Sequence, residues 1–91
     1  MLYAVTAIDK PNALETRLAN RAAHLEYAAK LPLVVGGPML SDDGEGMVGS
    51  LLVIEAEDRT ALDALLAEDP YAKAGLFESV TVRPFKKVFP K

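Results

Sequence analysis

The sequence contains no cysteine, no tryptophan and a single histidine. Without cysteine there is no disulfide, no thiolate nucleophile and no zinc-thiolate centre. One imidazole with no thiol leaves no recognisable transition-metal donor set, so neither a metal nor another cofactor is expected. Charge of one sign is also scarce. Ten basic residues stand against thirteen acidic ones, a net charge of −3, and only Lys86 and Lys87 are adjacent. A mildly acidic surface repels phosphate, which makes nucleic acid an unexpected partner. No apolar run approaches the length of a membrane span. The apolar opening Met1 to Ile8 lacks a basic start and is too short for a signal peptide, so a cytoplasmic location is expected.

What is present is a chain of 91 residues, half of them apolar. That length supports one domain, 1–91, and a core small enough to gain from dimerisation. Leu2 to Ile8 reads as a strand with Tyr3, Val5 and Ala7 on one face and Leu2, Ala4, Thr6 and Ile8 on the other. Residues 12 to 30 read as an amphipathic helix. Asn12 and Glu15 have the spacing of a reciprocal capping box, and Leu14, Leu18, Ala22, Leu25 and Ala29 form a stripe expected to face the core. Pro32 closes the helix.

A second strand starts at Leu33, is interrupted or bent by Gly36, Gly37 and Pro38, and runs out through Met39 and Leu40 into a polar hairpin loop, Ser41 to Gly46. Met47 to Ala56 is a third strand, in which Leu51 to Ile54 ask for burial on both faces. Asp58 caps a helix through Leu66, ended by Asp69 and Pro70, with a further turn over Tyr71 to Gly75. Phe77 to Val82 is a fourth strand, and Pro84 leaves Phe85 to Phe89 as a tail or edge segment. The order strand, helix, strand, strand, helix, strand predicts an α+β, ferredoxin-like βαββαβ fold with an antiparallel sheet and both helices on one face. Strands apolar on both sides predict that the open face packs on a second copy as a dimeric α/β barrel, with assembly beyond the dimer left open; the alternative is an ordinary half-exposed sheet with some surface leucines.

The candidate chemistry centres on His24, at the border of the helical stripe, with Arg17 and Arg21 on the same flank. The inferred topology brings the end of the second helix, and so Asp69, toward it. An aspartate accepting from one imidazole nitrogen fixes the tautomer and makes the other nitrogen a usable base near neutral pH. Gly36, Gly37 and Pro38 are either a plain bend or a close backbone approach to a ligand, and they do not form a phosphate loop. Ser50 is either a simple strand serine or a hydroxyl in a pocket. Asp42, Asp43 and Glu45 lack the calcium-loop spacing and read as a solvated hairpin tip.

The ordered segments Met1-Leu2-Tyr3, Arg21-Ala22-Ala23-His24-Leu25, Gly37-Pro38-Met39, Gly49-Ser50, Asp69-Pro70-Tyr71 with Ala74-Gly75, and Pro84-Phe85-Lys86-Lys87-Val88-Phe89 resemble the YCII-related family over nearly the whole chain. The loop 41–46 is shorter than the family pattern. The resemblance implies a ferredoxin-like dimeric barrel, a His and Asp active-site pair at His24 and Asp69, and lyase, isomerase or dehydrochlorinase chemistry on a small molecule. The resulting expectation is a small homodimeric enzyme acting on a compact, cyclic or phenolic substrate. Arg17 or Arg21 would stabilise an oxyanion, and Gly37, Pro38, Ser50 and Tyr71 would line the pocket. The rival is a non-catalytic module that binds a small ligand or only holds a dimer together.

Overall fold

The computed structural model describes residues 1–91 and contains four strands and three helices: β1 Leu2–Asp9, α1 Leu14–Ala28, β2 Leu33–Leu40, β3 Met47–Glu55, α2 Arg59–Ala67, α3 Pro70–Lys73 and β4 Phe77–Phe85. The strands form one antiparallel sheet in the order β2-β3-β1-β4, the ferredoxin-like arrangement. No helix is long and apolar enough to cross a membrane.

Strand alternation decides the core. Val5 stands opposite both Leu52 and Val82, and Tyr3 opposite Ile54, so these side chains share one face. Together with Ala56 and Leu62 they form the buried cluster, and Leu31, Leu33, Leu65 and Leu66 pack around it. The opposite face carries Leu2, Ala4, Thr6, Ile8, Leu51 and Val53. No helix covers it, and Ile8, Leu51, Val35 and Phe85 stay exposed there. Gly49 is required where β1 and β3 approach, because a Cβ would lie 2.4 Å from the carbonyl oxygen of Ala7. The same tight approach fixes the height of Ser50 on the inner face.

Four local expectations are corrected. Asn12 makes no capping box; it adopts φ 57°, Ala13 stands at the N-cap without a side-chain hydrogen bond, and the helix runs from 14 to 28 rather than 12 to 30. The stripe Leu14, Leu18, Ala22, Leu25 and Ala29 faces outward: Leu18 is 52% and Leu25 47% exposed, and the helix's one buried residue is Arg17. Polar partners on β1, β3 and α3 reward the rotation that turns Arg17 and His24 inward. Gly36, Gly37 and Pro38 do not interrupt β2, which pairs with β3 through Leu51, Leu52 and Ser50 and absorbs its irregularity in bulges near either end. Pro84 lies within β4, opposite Tyr3, and its missing N–H is tolerated because β4 is an edge strand.

The second helical region follows its sequence signals. The Asp58 carboxylate accepts from the Ala61 N–H at 2.8 Å, and Leu62 is fully buried beneath α2. The Tyr27 hydroxyl donates to the Leu65 carbonyl at 2.6 Å and ties α1 to α2. Gly75, at φ 71°, supplies the left-handed residue that ends α3 and sends the chain into β4.

Candidate active site

Asp69 ends one helix and begins another. It stands at the N-cap of α3 with extended backbone, and Pro70 occupies the first helical position, where a missing N–H costs nothing. Its Oδ1 accepts from the Tyr71 N–H at 2.9 Å, which fixes the carboxylate plane. The two carboxylate oxygens lie 2.9 and 3.0 Å from His24 Nδ1. An ionised carboxylate only accepts, so Nδ1 carries the proton in this contact. Nε2 of His24 is left without a protein partner.

Tyr71, one residue into α3, is buried and lies parallel to the imidazole, with ring centroids 3.9 Å apart and planes 12° apart. Its far side meets Arg17, whose Cζ sits 4.7 Å from the ring centroid, and Phe77 packs edge-on at 6.1 Å. Burial raises the Tyr71 phenol above its ordinary range, opposed by the Arg17 charge. The phenol therefore stays neutral around neutral pH.

Arg17 is 2% exposed, an unusual place for a guanidinium. Its Nε and Nη2 donate to the two oxygens of Asp9 at 2.7 and 2.8 Å, a bidentate pair, and Nη2 also donates to Ser50 Oγ at 3.0 Å. The hydrogen bond that Arg17 donates to Asp9 raises the Arg17 pKa further, against the opposing effect of burial, so the charge is permanent. Asp9 lies at the end of β1, where the pairing with β4 shifts register. No sequence pattern around Asp9 marks it; a lone aspartate after a strand reads as a turn residue.

Two cavities flank this cluster and share His24, Ser50 and Leu52 as walls. The smaller, about 100 Å³, lies between α1 and β2 and is bounded by Arg17, Arg21, Gly36, Gly37, Pro38 and Tyr71. The larger, about 320 Å³, lies between α2, α3 and the β1–β4 side of the sheet. Its walls are mostly apolar, with Val5, Ala7, Leu66, Phe77, Val80 and Val82, and Asp69 stands among them. The structure thus gathers His24, Arg17, Arg21, Gly37, Pro38, Ser50 and Tyr71 around one cavity and joins Asp69 to them through His24. Arg21 is exposed and has no ion-pair partner, whereas Arg17 is committed to Asp9. The larger cavity and its residues Phe77 and Val80 went unnoticed in the sequence, where they are ordinary strand residues.

This arrangement holds an imidazole in one tautomer, leaves its other nitrogen without a protein partner, and places the ring on the wall of a mostly apolar cavity. Those are the requirements of a general base. No group of three or more His, Asp or Glu side chains is placed to hold a metal ion.

Comparison with known proteins identifies the family and the fold. A model of the YCII-related domain matches residues 1–86. Protein YciI of Escherichia coli O6:H1 (strain CFT073) is 42% identical over 98 residues, covering 98% of this chain and all of that protein. Among solved structures, 5-chloro-2-hydroxyhydroquinone dehydrochlorinase (TftG) of Burkholderia phenoliruptrix AC1100, in complex with 2,5-dihydroxybenzoquinone, superposes with a TM-score of 0.88 at 38% identity over 94% of each chain. SnoaB, a cofactor-independent oxygenase of Streptomyces nogalater, shares the fold at a TM-score of 0.62 and 18% identity, over 99% of this chain and 97% of its own.

Proposed function

The chain belongs to the YCII-related family, and from that membership and the site geometry we propose that it is a small enzyme of the dehydrochlorinase type in which His24 is the general base. The observation that carries this reading is the imidazole itself: Nδ1 is held by Asp69 at 2.9 Å, Nε2 has no protein partner, and the residue lines both cavities. Neutral His24 takes a proton from a small cyclic or phenolic substrate. The electron pair left behind moves through the ring to the carbon that bears the leaving group, and that carbon takes up a proton. Loss of a second hydroxyl proton then expels the leaving group with its bonding pair, so that the acid HX is lost overall and a quinone remains. Asp69 keeps the proton on Nδ1 and stabilises the imidazolium that forms. Of the two arginines, Arg17 has its Nε and Nη2 donors held by Asp9, whereas Arg21 lines the smaller cavity without an ion-pair partner and meets a negatively charged oxygen that reaches past His24 from the larger one. The 38% identical dehydrochlorinase supports the reaction class.

The same reading makes the protein a cytoplasmic homodimer. Ile8, Leu51, Val35 and Phe85 on the uncovered sheet face form the apolar surface that a second copy covers.

The test is chloride release from chlorinated hydroxyhydroquinones by wild type and His24→Ala. Wild type releases chloride; the variant loses roughly 100- to 10,000-fold in rate while melting close to wild type. A fully active, folded variant overturns the catalytic role. If wild type binds such compounds, seen as a raised melting temperature, and turns none over, the chain is a binding module instead.

A further inference from the structure

Ser50 is 6% exposed, yet its hydroxyl is only half used. Oγ accepts from Arg17 Nη2 at 3.0 Å, and the hydroxyl proton has no acceptor on the protein. A buried donor without a partner costs free energy, and strand residues are seldom left in that state without reason. The direction of the bond on the other side matters as well. Arg17 is a charged donor locked by Asp9, so Ser50 cannot rotate to donate back to it; the guanidinium has no acceptor. Receiving a charged hydrogen bond also polarises the O–H and makes it a better donor. Asp9, Arg17 and Ser50 are therefore a chain that ends in one proton, on a residue shared by the walls of both cavities.

Cavity size says what that proton meets. A dry apolar cavity of about 150 Å³ is known to hold benzene. The chamber of about 100 Å³ is too small for an aromatic ring, whereas the apolar one of about 320 Å³ takes a substituted single ring. Ser50 and His24 line both chambers.

We infer that Ser50 is the oxygen-recognising residue of the site: it donates a hydrogen bond to an oxygen on a planar, single-ring ligand whose apolar body occupies the larger cavity. Asp9 and Arg17 are positioning residues that fix the direction of the donor. The inference deepens the reading of His24 as a base, because a ring oxygen bound to Ser50 lies where His24 lines the same cavity. It rests on that reading for its chemistry, and its binding half stands independently.

The probes are phenol and toluene, equal in ring and nearly equal in size, titrated by NMR into wild type and Ser50→Ala. Wild type is expected to bind phenol more tightly than toluene. In Ser50→Ala the affinity for phenol falls roughly 3- to 10-fold and that for toluene is unchanged, which also shows the cavity intact. Equal phenol affinity in the two proteins overturns the inference. So does a parallel loss of both ligands, since the hydroxyl would then serve only the shape of the cavity, and so does a wild type that binds neither. Because no turnover is read, a protein that fails to release chloride but shows the selective loss of phenol keeps this inference and loses the catalytic one.

Discussion

The two long helices are attached to the same sheet by opposite means. α2 follows the ordinary pattern: Leu62 is buried, Asp58 caps the start, and the exposed Arg59 and Asp63 pair at 2.8 Å on the rim of the larger cavity. α1 turns Arg17, His24 and Tyr27 toward the protein and shows Leu14, Leu18 and Leu25 to the outside. Apolar burial is tolerant of direction, because any hydrophobic side chain of suitable size fills the space. The contacts of α1 are directional. Each fixes an atom to about a hydrogen-bond length, which is what a tautomer and a polarised hydroxyl require. α2 supplies stability, and α1 spends its inner face on the site.

The sharpest test of this contrast is Arg17→Met. It leaves the Asp9 carboxylate buried and unpaired and should cost about 3–5 kcal/mol in urea unfolding. Adding Asp9→Leu should recover most of the loss, since an apolar pair of similar volume replaces an ion pair at little cost. If the single variant is as stable as wild type, the polar attachment of α1 is wrong. Next comes Leu62→Ala beneath α2, expected to cost about 2–5 kcal/mol through lost burial and the cavity left behind. In contrast to the Arg17 variant, it should leave the arrangement of His24, Asp69 and Tyr71 intact, read from the imidazole nitrogen shifts. The smallest effect belongs to the outward stripe. Leu18→Gln should change stability by no more than about 0.5 kcal/mol and leave the mass in sedimentation unaltered. If the open sheet face is the interface of the proposed dimer, Leu51→Lys should lower that mass to the monomer's, and the reverse pattern would move the interface from the sheet to α1.

Much of the fold was legible because its signals are local. The alternation in Leu2 to Ile8, the Asp58 cap, and the Asp69-Pro70 break each depend on neighbours within a few residues, and the element order then limits the topology. The errors in α1 have one physical source. A leucine stripe marks an apolar face, but which way a helix turns depends on what the sheet offers opposite it. Here β1 and β3 offer Asp9 and Ser50, residues 8 and 33 positions from Arg17.

By itself, the sequence indicated roughly where the strands and helices lie and an antiparallel, ferredoxin-like sheet, and from that topology the expectation that the single histidine and Asp69 share its helix-covered face, because periodicity and proline act over short distances. Only the tertiary structure decided that Arg17 is buried on Asp9, that Tyr71 stacks between Arg17 and His24, and that a second, larger cavity opens behind Ser50. Those contacts join residues far apart in the chain, and their geometry is fixed by the rotation of one helix, a quantity that no local pattern specifies.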